Sequence, residues 1–259
     1  NYNISLFQRL EGVNFKVNIL STQYRMHPEI SRFPSTTFYN SQLKDAENIL
    51  QLAIPPFPWN TIPLFKPLVF FTIDSQHVEE GSSLINTEEA FFAVQLLDLL
   101  RSVLLEVGPS NPPWTQRVAI ISPYSMQVQR IRRLVKSLLG IPMGKLCPID
   151  VNTVDGFQGR EKDFVIFSAV RAHFVGDGST KKKSIGFLAD ERRMNVALTR
   201  ARLNLWVIGN GRFLMGNPHW CQFWKHCCNT ETLFNVNFER LPQKDYLKRW
   251  LCGFFKRQP

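Results

Sequence analysis

The chain has 259 residues, 44% of them hydrophobic, enough to bury one large α/β core, and this argues against an intrinsically disordered polypeptide. Its 31 Lys and Arg against 21 Asp and Glu leave a formal charge of +10, a field that favours polyanionic partners, nucleic acid foremost. Cys147, Cys221, Cys227, Cys228 and Cys252 are odd in number and contain no C-x-x-C pair, so a disulfide framework is not expected, and no apolar run approaches membrane-spanning length.

The chain opens Asn-Tyr-Asn, with neither an initiator Met nor a signal pattern, and reads as part of something longer. From there, short apolar runs alternate with longer segments of helical period, the pattern of a mostly parallel sheet built from βαβ units. Strands are predicted at Lys16 to Leu20, Leu68 to Ile73, Arg117 to Ile121, Ile149 to Val154, Phe164 to Val170 and Leu203 to Ile208. Consecutive Val, Ile and Phe in several of them mark strands buried on both faces, so helices are expected on both sides.

Pro28 is expected to open a helix. Ala53 to Pro67, with Pro55, Pro56, Pro58, Pro63 and Pro67, reads as a surface excursion. A helix is predicted from Thr87 to about Val107, capped by Asn86 with Glu89 three positions on. A second runs from Tyr124 to Leu139 and stops at Gly140 and Pro142, with Arg130, Arg132, Arg133 and Lys136 mostly off its apolar stripe. Gly176 to Ser184, with Lys181 to Lys183, reads as a loop, and a third helix is predicted from about Asp190 to Arg202. The division expected is one domain over 1–230 and a basic tail over 231–259.

Three segments combine residue types that bind anions, in loops expected to follow strands, where open α/β sheets hold ligands. In Ser21-Thr-Gln-Tyr-Arg-Met-His-Pro28, Tyr24 offers a flat face to a base and Arg25 a forked cation to phosphate. In Val151 to Asp163, Gly156 and Gly159 permit close approach, while Thr153, Gln158 and Glu161 supply a hydroxyl, an amide and a carboxylate. In Asp190 to Arg202, helical spacing would point Arg193 and Arg200 at one anionic site. Each segment taken alone also reads as a strand-to-helix turn, a connection with solvated charges, or a solvated helix face.

Together and in this order, Gln-Tyr-Arg-Met-His-Pro, Val-Asp-Gly-Phe-Gln-Gly-Arg-Glu and Asn-Val-Ala-Leu-Thr-Arg-Ala-Arg resemble the superfamily 1B helicases of the regulator of nonsense transcripts, senataxin and immunoglobulin-mu-binding type. The resemblance runs from Ser5 to about Gly211 and leans toward the DNA-repair branch that carries a GRF-type zinc finger. It implies a RecA-like P-loop NTPase fold, specifically the second motor lobe, with residues 1–15 as the passage from a first lobe. It also implies that Tyr24 stacks on adenine, that Arg25 and Arg200 reach the γ-phosphate, and that Glu161 binds the ribose beside Gln158 and Gly159. Ser122, Pro123, Tyr124, Thr153 and Val154 would face the nucleic-acid backbone.

The partners so implied are the first RecA-like lobe of the same chain and single-stranded or partly duplex DNA or RNA, with ATP and Mg2+ as cofactors, 5′ to 3′ travel, and a nuclear or cytoplasmic setting. The G-x-x-x-x-G-K-[ST] loop is absent, since Gly140-Ile-Pro-Met-Gly-Lys-Leu146 has the wrong spacing. The sequence shown is therefore expected to be inactive alone. The competing class is a nucleic-acid-binding or regulatory module without ATPase activity; a metabolic enzyme acting on a phosphorylated small molecule lacks an acid-base pair. His219, Cys221, His226, Cys227 and Cys228 lack closed-site spacing and, with Trp220, Phe223 and Trp224, are expected on a core helix rather than around a metal.

Overall fold

Segments rich in Val, Ile, Leu and Phe can satisfy their backbone only by pairing with one another once buried, and here they form one sheet. The computed structural model describes residues 4, 6–13, 15–16, 18–52, 62–107, 111–142, 149–172 and 185–236. In chain order the elements are α1 (Leu6–Gly12), β1 (Thr22–Gln23), α2 (Pro28–Phe38), β2 (Lys44–Asp45), α3 (Glu47–Leu52), β3 (Leu68–Ile73), β4 (Val78–Glu80), β5 (Ser83–Ile85) and α4 (Thr87–Val107). There follow β6 (Val118–Ser122), α5 (Ser125–Leu139), β7 (Asp150–Thr153), β8 (Lys162–Ser168), α6 (Glu191–Leu198), β9 (Ala201–Gly209), α7 (Gly211–Leu214), α8 (Pro218–Asn229) and β10 (Leu233–Val236).

The main sheet has six strands in the order β10-β3-β9-β8-β6-β7, every pair parallel. On one face α4 and α5 cover Val69, Phe71, Val118, Ile120, Ile166 and Trp206. On the other, α2, α6 and α8 cover Phe70, Ile121, Val165, Phe167 and Val207. Phe70 and Phe71 thus feed opposite layers, as the two-residue strand period requires. This is the expected RecA-like α/β architecture, a parallel sheet with helices on both faces.

α4 has the predicted bounds, with Asn86 Oδ1 accepting from the Glu89 N–H at 3.0 Å. α2 opens at Pro28 behind a His27 cap whose Nδ1 accepts from the Glu29 N–H, and α8 buries Trp220, Phe223 and Cys227 as a core helix. Burial pushes the Cys227 thiol up to about 12, which keeps it neutral and unreactive.

Three expectations are corrected. The described residues of Lys16 to Leu20 form no strand: Ile19 and Leu20 are 60% and 90% exposed, because no described strand offers them an edge to pair with. The proline-rich excursion is not all surface, since Ile62, Leu64 and Phe65 at its end are buried and plug the first apolar layer. The third helix stops at Leu198, because the chain must turn extended at Ala201 to pair with β8. The sheet also continues past residue 230, through β10. Residues 53–61, the Lys181 to Lys183 loop and the tail over 237–259 lie outside the described residues. No helix among the described residues is long and apolar enough to cross a membrane.

At the carboxyl ends of the strands, Glu89 is fully buried. Its Oε2 accepts from Ser168 Oγ at 2.7 Å and from the Val170 N–H at 2.8 Å. Val170 sits at φ +71°, a left-handed conformation that costs a β-branched residue about 1–3 kcal/mol and is held here by that bond. Burial pushes the Glu89 carboxyl up to about 8. A carboxyl raised in the folded state stabilises fully below its unfolded value near 4.5, and the contribution is lost as pH climbs toward about 8. The slope is up to about 1.4 kcal/mol per pH unit. Glu89→Gln is expected to remove that part of the decline, read as urea midpoints at acidic and mildly alkaline pH; parallel pH profiles for both proteins would refute it.

Candidate functional site

The first segment folds around a residue that the sequence reading passed over, Gln23. Its Oε1 accepts from the Arg25 and Met26 N–H groups at 2.8 and 2.7 Å, and its Nε2 donates to Met26 O and to Asp45 Oδ1. A buried amide with both ends paired fixes a turn more firmly than sterics alone. Met26 is buried as the apolar anchor, while Tyr24 is left 70% exposed above an open cleft bordered by Thr22, Lys44, Glu47, Asn48 and Gln51. The His27 N–H donates to Arg202 O at 2.7 Å, tying the turn to the start of β9.

That tie brings the three segments together. Arg25 Nε forms an ion pair with Glu161 Oε2, and Arg25 Nη1 donates to Thr199 O at 3.0 Å. Arg200 Nε donates to Val196 O at 2.9 Å and its Nη2 to Thr199 Oγ1 at 2.9 Å. Burial first, and then the like charge of Arg25, lower the Arg200 pKa, though a guanidinium remains charged at neutral pH. Two cations and one carboxylate, partly exposed, are a charge arrangement suited to an anion larger than Glu161.

Two expectations about this site change. Glu161 and Arg200 immediately precede β8 and β9, so they stand at the amino edge of the sheet, Glu161 at the far end of the connection that follows β7 and Arg200 just after α6. Arg193 and Arg200 do not share a site: Thr199 and Arg200 use their side chains on the last helix carbonyls, Asn195 O and Val196 O, and end the helix. Arg193 instead lies 4.0 Å over the Phe187 ring and 3.7 Å from Asp155. Gln158 and Gly159 are exposed; Gly159 takes φ +77°, which favours glycine there.

The other candidates gather at the opposite, carboxyl edge. Ser122 pairs in register with Thr153, Ser122 O accepts from the Val154 N–H at 3.1 Å, and Thr153 Oγ1 accepts from the Gly156 N–H at 3.1 Å. Ser122 and Val154 are buried, so their side chains do not face outward as expected; Pro123, Tyr124 and Thr153 are partly accessible. The physical reason is that Val154 completes the apolar layer with Phe157 and Phe167. Arg171, another residue the sequence reading missed, donates from Nε to Tyr124 Oη at 2.9 Å and lies 5.8 Å from the Tyr124 ring centroid. The usable signal was its place three residues after a buried strand.

α6 and the segment from Val154 to Glu161 connect the two edges. Asp190 caps α6 by accepting from the Arg192 and Arg193 N–H groups, and the far end delivers Thr199 O to Arg25. At Gly156 an added Cβ would lie 2.7 Å from Asn152 Oδ1 and 3.0 Å from Thr153 Oγ1, so a side chain there would displace the Asn152 amide. Among the described residues, no group of three or more His, Cys, Asp or Glu is placed to hold a metal ion.

The family profile described as an AAA domain matches residues 2–212. Probable helicase MAGATAMA 3 of Arabidopsis thaliana is 38% identical over 240 residues, 91% of this chain and 27% of the relative. Helicase SEN1 of Saccharomyces cerevisiae is 40% identical over 222 residues, 85% of this chain and 9% of the relative. Regulator of nonsense transcripts 1 of Dictyostelium discoideum is 36% identical over 243 residues, 92% of this chain and 17% of the relative. The chain thus spans about a quarter or less of these relatives, and the lean toward a GRF-type zinc-finger branch draws no support from them.

Proposed function

Because the chain belongs to the AAA domain family that its residues 2–212 match, on the superfamily 1B helicase side of it, we propose that it serves as the second RecA-like motor lobe of an ATP-dependent 5′ to 3′ nucleic-acid helicase. The observation that supports this best is the meeting of Arg25, Glu161, Thr199 and Arg200 at one accessible edge, although Arg25 stands 136 and 174 positions from its partners Glu161 and Thr199. The substrates are ATP and a single-stranded or partly duplex DNA or RNA, and the setting is nuclear, with DNA repair as one pathway for it.

In this reading Tyr24 stacks on the adenine and Glu161 accepts from the ribose. Arg25 exchanges its carboxylate partner for phosphate oxygens, and Arg200, held by Val196 O and Thr199 Oγ1, approaches the γ-phosphate beside it, with Gln158 and Gly159 along the same cleft. ATP supplies a terminal phosphoryl group whose charge spreads over its oxygens as it passes to water. The two guanidinium groups stabilise that charge, since positioned cationic donors are the main contribution a protein makes to phosphoryl transfer. Mg2+ and the phosphate-binding loop come from the first lobe, and the two arginines bridge the lobes while the γ-phosphate is present. Loss of that bridge on hydrolysis is carried along α6 to the carboxyl edge, where Pro123, Tyr124 and Thr153 contact the strand, with Ser122 and Val154 acting through their backbone.

Tyr24 tests the nucleotide assignment without touching the core. In the full-length protein Tyr24→Ala is expected to raise the KM for ATP by about tenfold, as loss of a base-aromatic stack is worth about 1–3 kcal/mol, whereas Tyr24→Phe keeps it. An unchanged KM in the alanine variant would remove Tyr24 from the site.

A further inference from the structure

α5 presents an uncompensated basic face that the assignments above leave unused. Its fifteen residues, Ser-Met-Gln-Val-Gln-Arg-Ile-Arg-Arg-Leu-Val-Lys-Ser-Leu-Leu, contain no Asp or Glu. Gln127, Val128, Ile131 and Val135 are buried against the sheet. Arg132, Arg133 and Lys136 are exposed on the opposite side with Arg130 half-buried at its margin. Among the described residues no carboxylate pairs with any of these four. Other basic side chains nearby do have carboxylate partners: Arg160 and Lys162 share Asp150, and Arg117 shares Asp163 with Arg202. Arg132 is also held in place, donating from Nε and Nη2 to Val151 O at 3.1 and 2.6 Å, which caps a carbonyl of the edge strand β7 and fixes one cation of the row.

The position of this row says what it fits. α5 begins immediately after Tyr124, its N-cap, so the helix leads away from the carboxyl edge and its cations, Arg130 to Lys136, stand about 9 to 18 Å down the flank of the lobe. Arg133 and Lys136, three apart, share a face and lie about 4.5 Å apart along the helix axis, a spacing that lets flexible basic side chains reach successive phosphates. An acidic protein surface would match the charge, but the helix that carries the row leads directly from Pro123 and Tyr124, and only a polyanion passing that edge would run on along it.

We propose that the exposed face of α5, centred on Arg133 and Lys136 with Arg132 and Arg130 beside them, is a docking track for the phosphate backbone of the nucleic acid, continuing the contact at the carboxyl edge. This rests on the motor-lobe reading for the existence of that contact, not for the charge of the helix. The track is indifferent to base sequence and acts through counterion release, so it sets affinity and its salt dependence.

The test is fluorescence anisotropy of labelled oligothymidylate and oligouridylate with the full chain across a potassium chloride series. The double variant Arg133→Glu with Lys136→Glu is expected to bind at least tenfold more weakly at low salt and to flatten the slope of log Kobs against log salt by about 1 to 2. Arg133→Lys with Lys136→Arg, which keeps the charge, should retain the wild-type slope, and circular dichroism should show both variants folded. A wild-type slope in the glutamate variant, or equally strong competition by poly-glutamate, would overturn the track. Absence of any salt-dependent binding by the wild-type chain would instead defeat the motor-lobe reading itself.

Discussion

Arg200→Ala in the full-length protein is expected to lower ATP turnover by about 10³-fold, the scale set by removing an arginine that stabilises phosphoryl-transfer charge. The side chain is tethered by Val196 O and Thr199 Oγ1, so its guanidinium needs little reordering to meet a γ-phosphate. Its half-burial, which lowers its pKa, weakens competition from water for the charge it would stabilise. Arg200→Lys should rescue little, because an ammonium cannot reproduce the planar fork that bonds Val196 O and Thr199 Oγ1 together. Phosphate-release kinetics with strand affinity measured alongside decide the matter: turnover within twofold of wild type would take Arg200 out of the reaction.

Trp220→Ala is expected to cost about 3–5 kcal/mol of folding stability, the range for truncating a fully buried aromatic. Trp220 is completely buried, stacks on Phe167 with centroids 6.1 Å apart and meets Phe223 edge-on at 5.8 Å. Its Nε1–H donates to Leu188 O at 3.0 Å, so truncation opens a void and also leaves a buried carbonyl unpaired. Leu188 lies two residues before the cap of α6, so the loss should loosen the element that links the two edges. Urea unfolding compares it with Leu138→Ala, where the side chain is 52% exposed and the change should stay below about 1 kcal/mol. Equal effects at the two positions would contradict the packing described for α8.

Much of this was readable in the sequence, for identifiable reasons. Leu68 to Ile73 and Leu203 to Ile208 are unbroken apolar runs, and such runs become central parallel strands; Thr87 to Val107 carries a cap and a long helical period, so its bounds matched. Where local pattern and tertiary pairing compete, pairing decides. The helical period of Asp190 to Arg202 continues past Leu198, yet the β8 edge draws Ala201 into a strand, and Arg200 leaves the helix face on which spacing had placed it. Lys16 to Leu20 shows the converse, a strand-like run with no described partner.

The site was legible as residue types but not as geometry. Tyr24, Arg25, Glu161 and Arg200 stood out because forked cations, a carboxylate and an exposed aromatic cluster around motifs. Nothing in spacing says which end of a strand a loop occupies, and Glu161 and Arg200 lie at the amino edge. Gln23 escaped notice because a buried amide that folds a turn resembles any surface glutamine until its four hydrogen bonds are seen. Ser122 and Val154 were placed toward the strand only by the family resemblance, yet both side chains are buried, Val154 in the layer of Phe157 and Phe167.

In the proposed motor lobe, the Arg25, Glu161 and Arg200 edge completes an ATP site coupled to a strand held at the opposite edge. The most direct test is ATP hydrolysis by the full-length protein with single-stranded DNA and RNA added side by side. Stimulation by at least one polymer is expected, abolished by Arg200→Ala while strand binding persists. Hydrolysis that neither polymer accelerates, or that survives loss of Arg200, would contradict it.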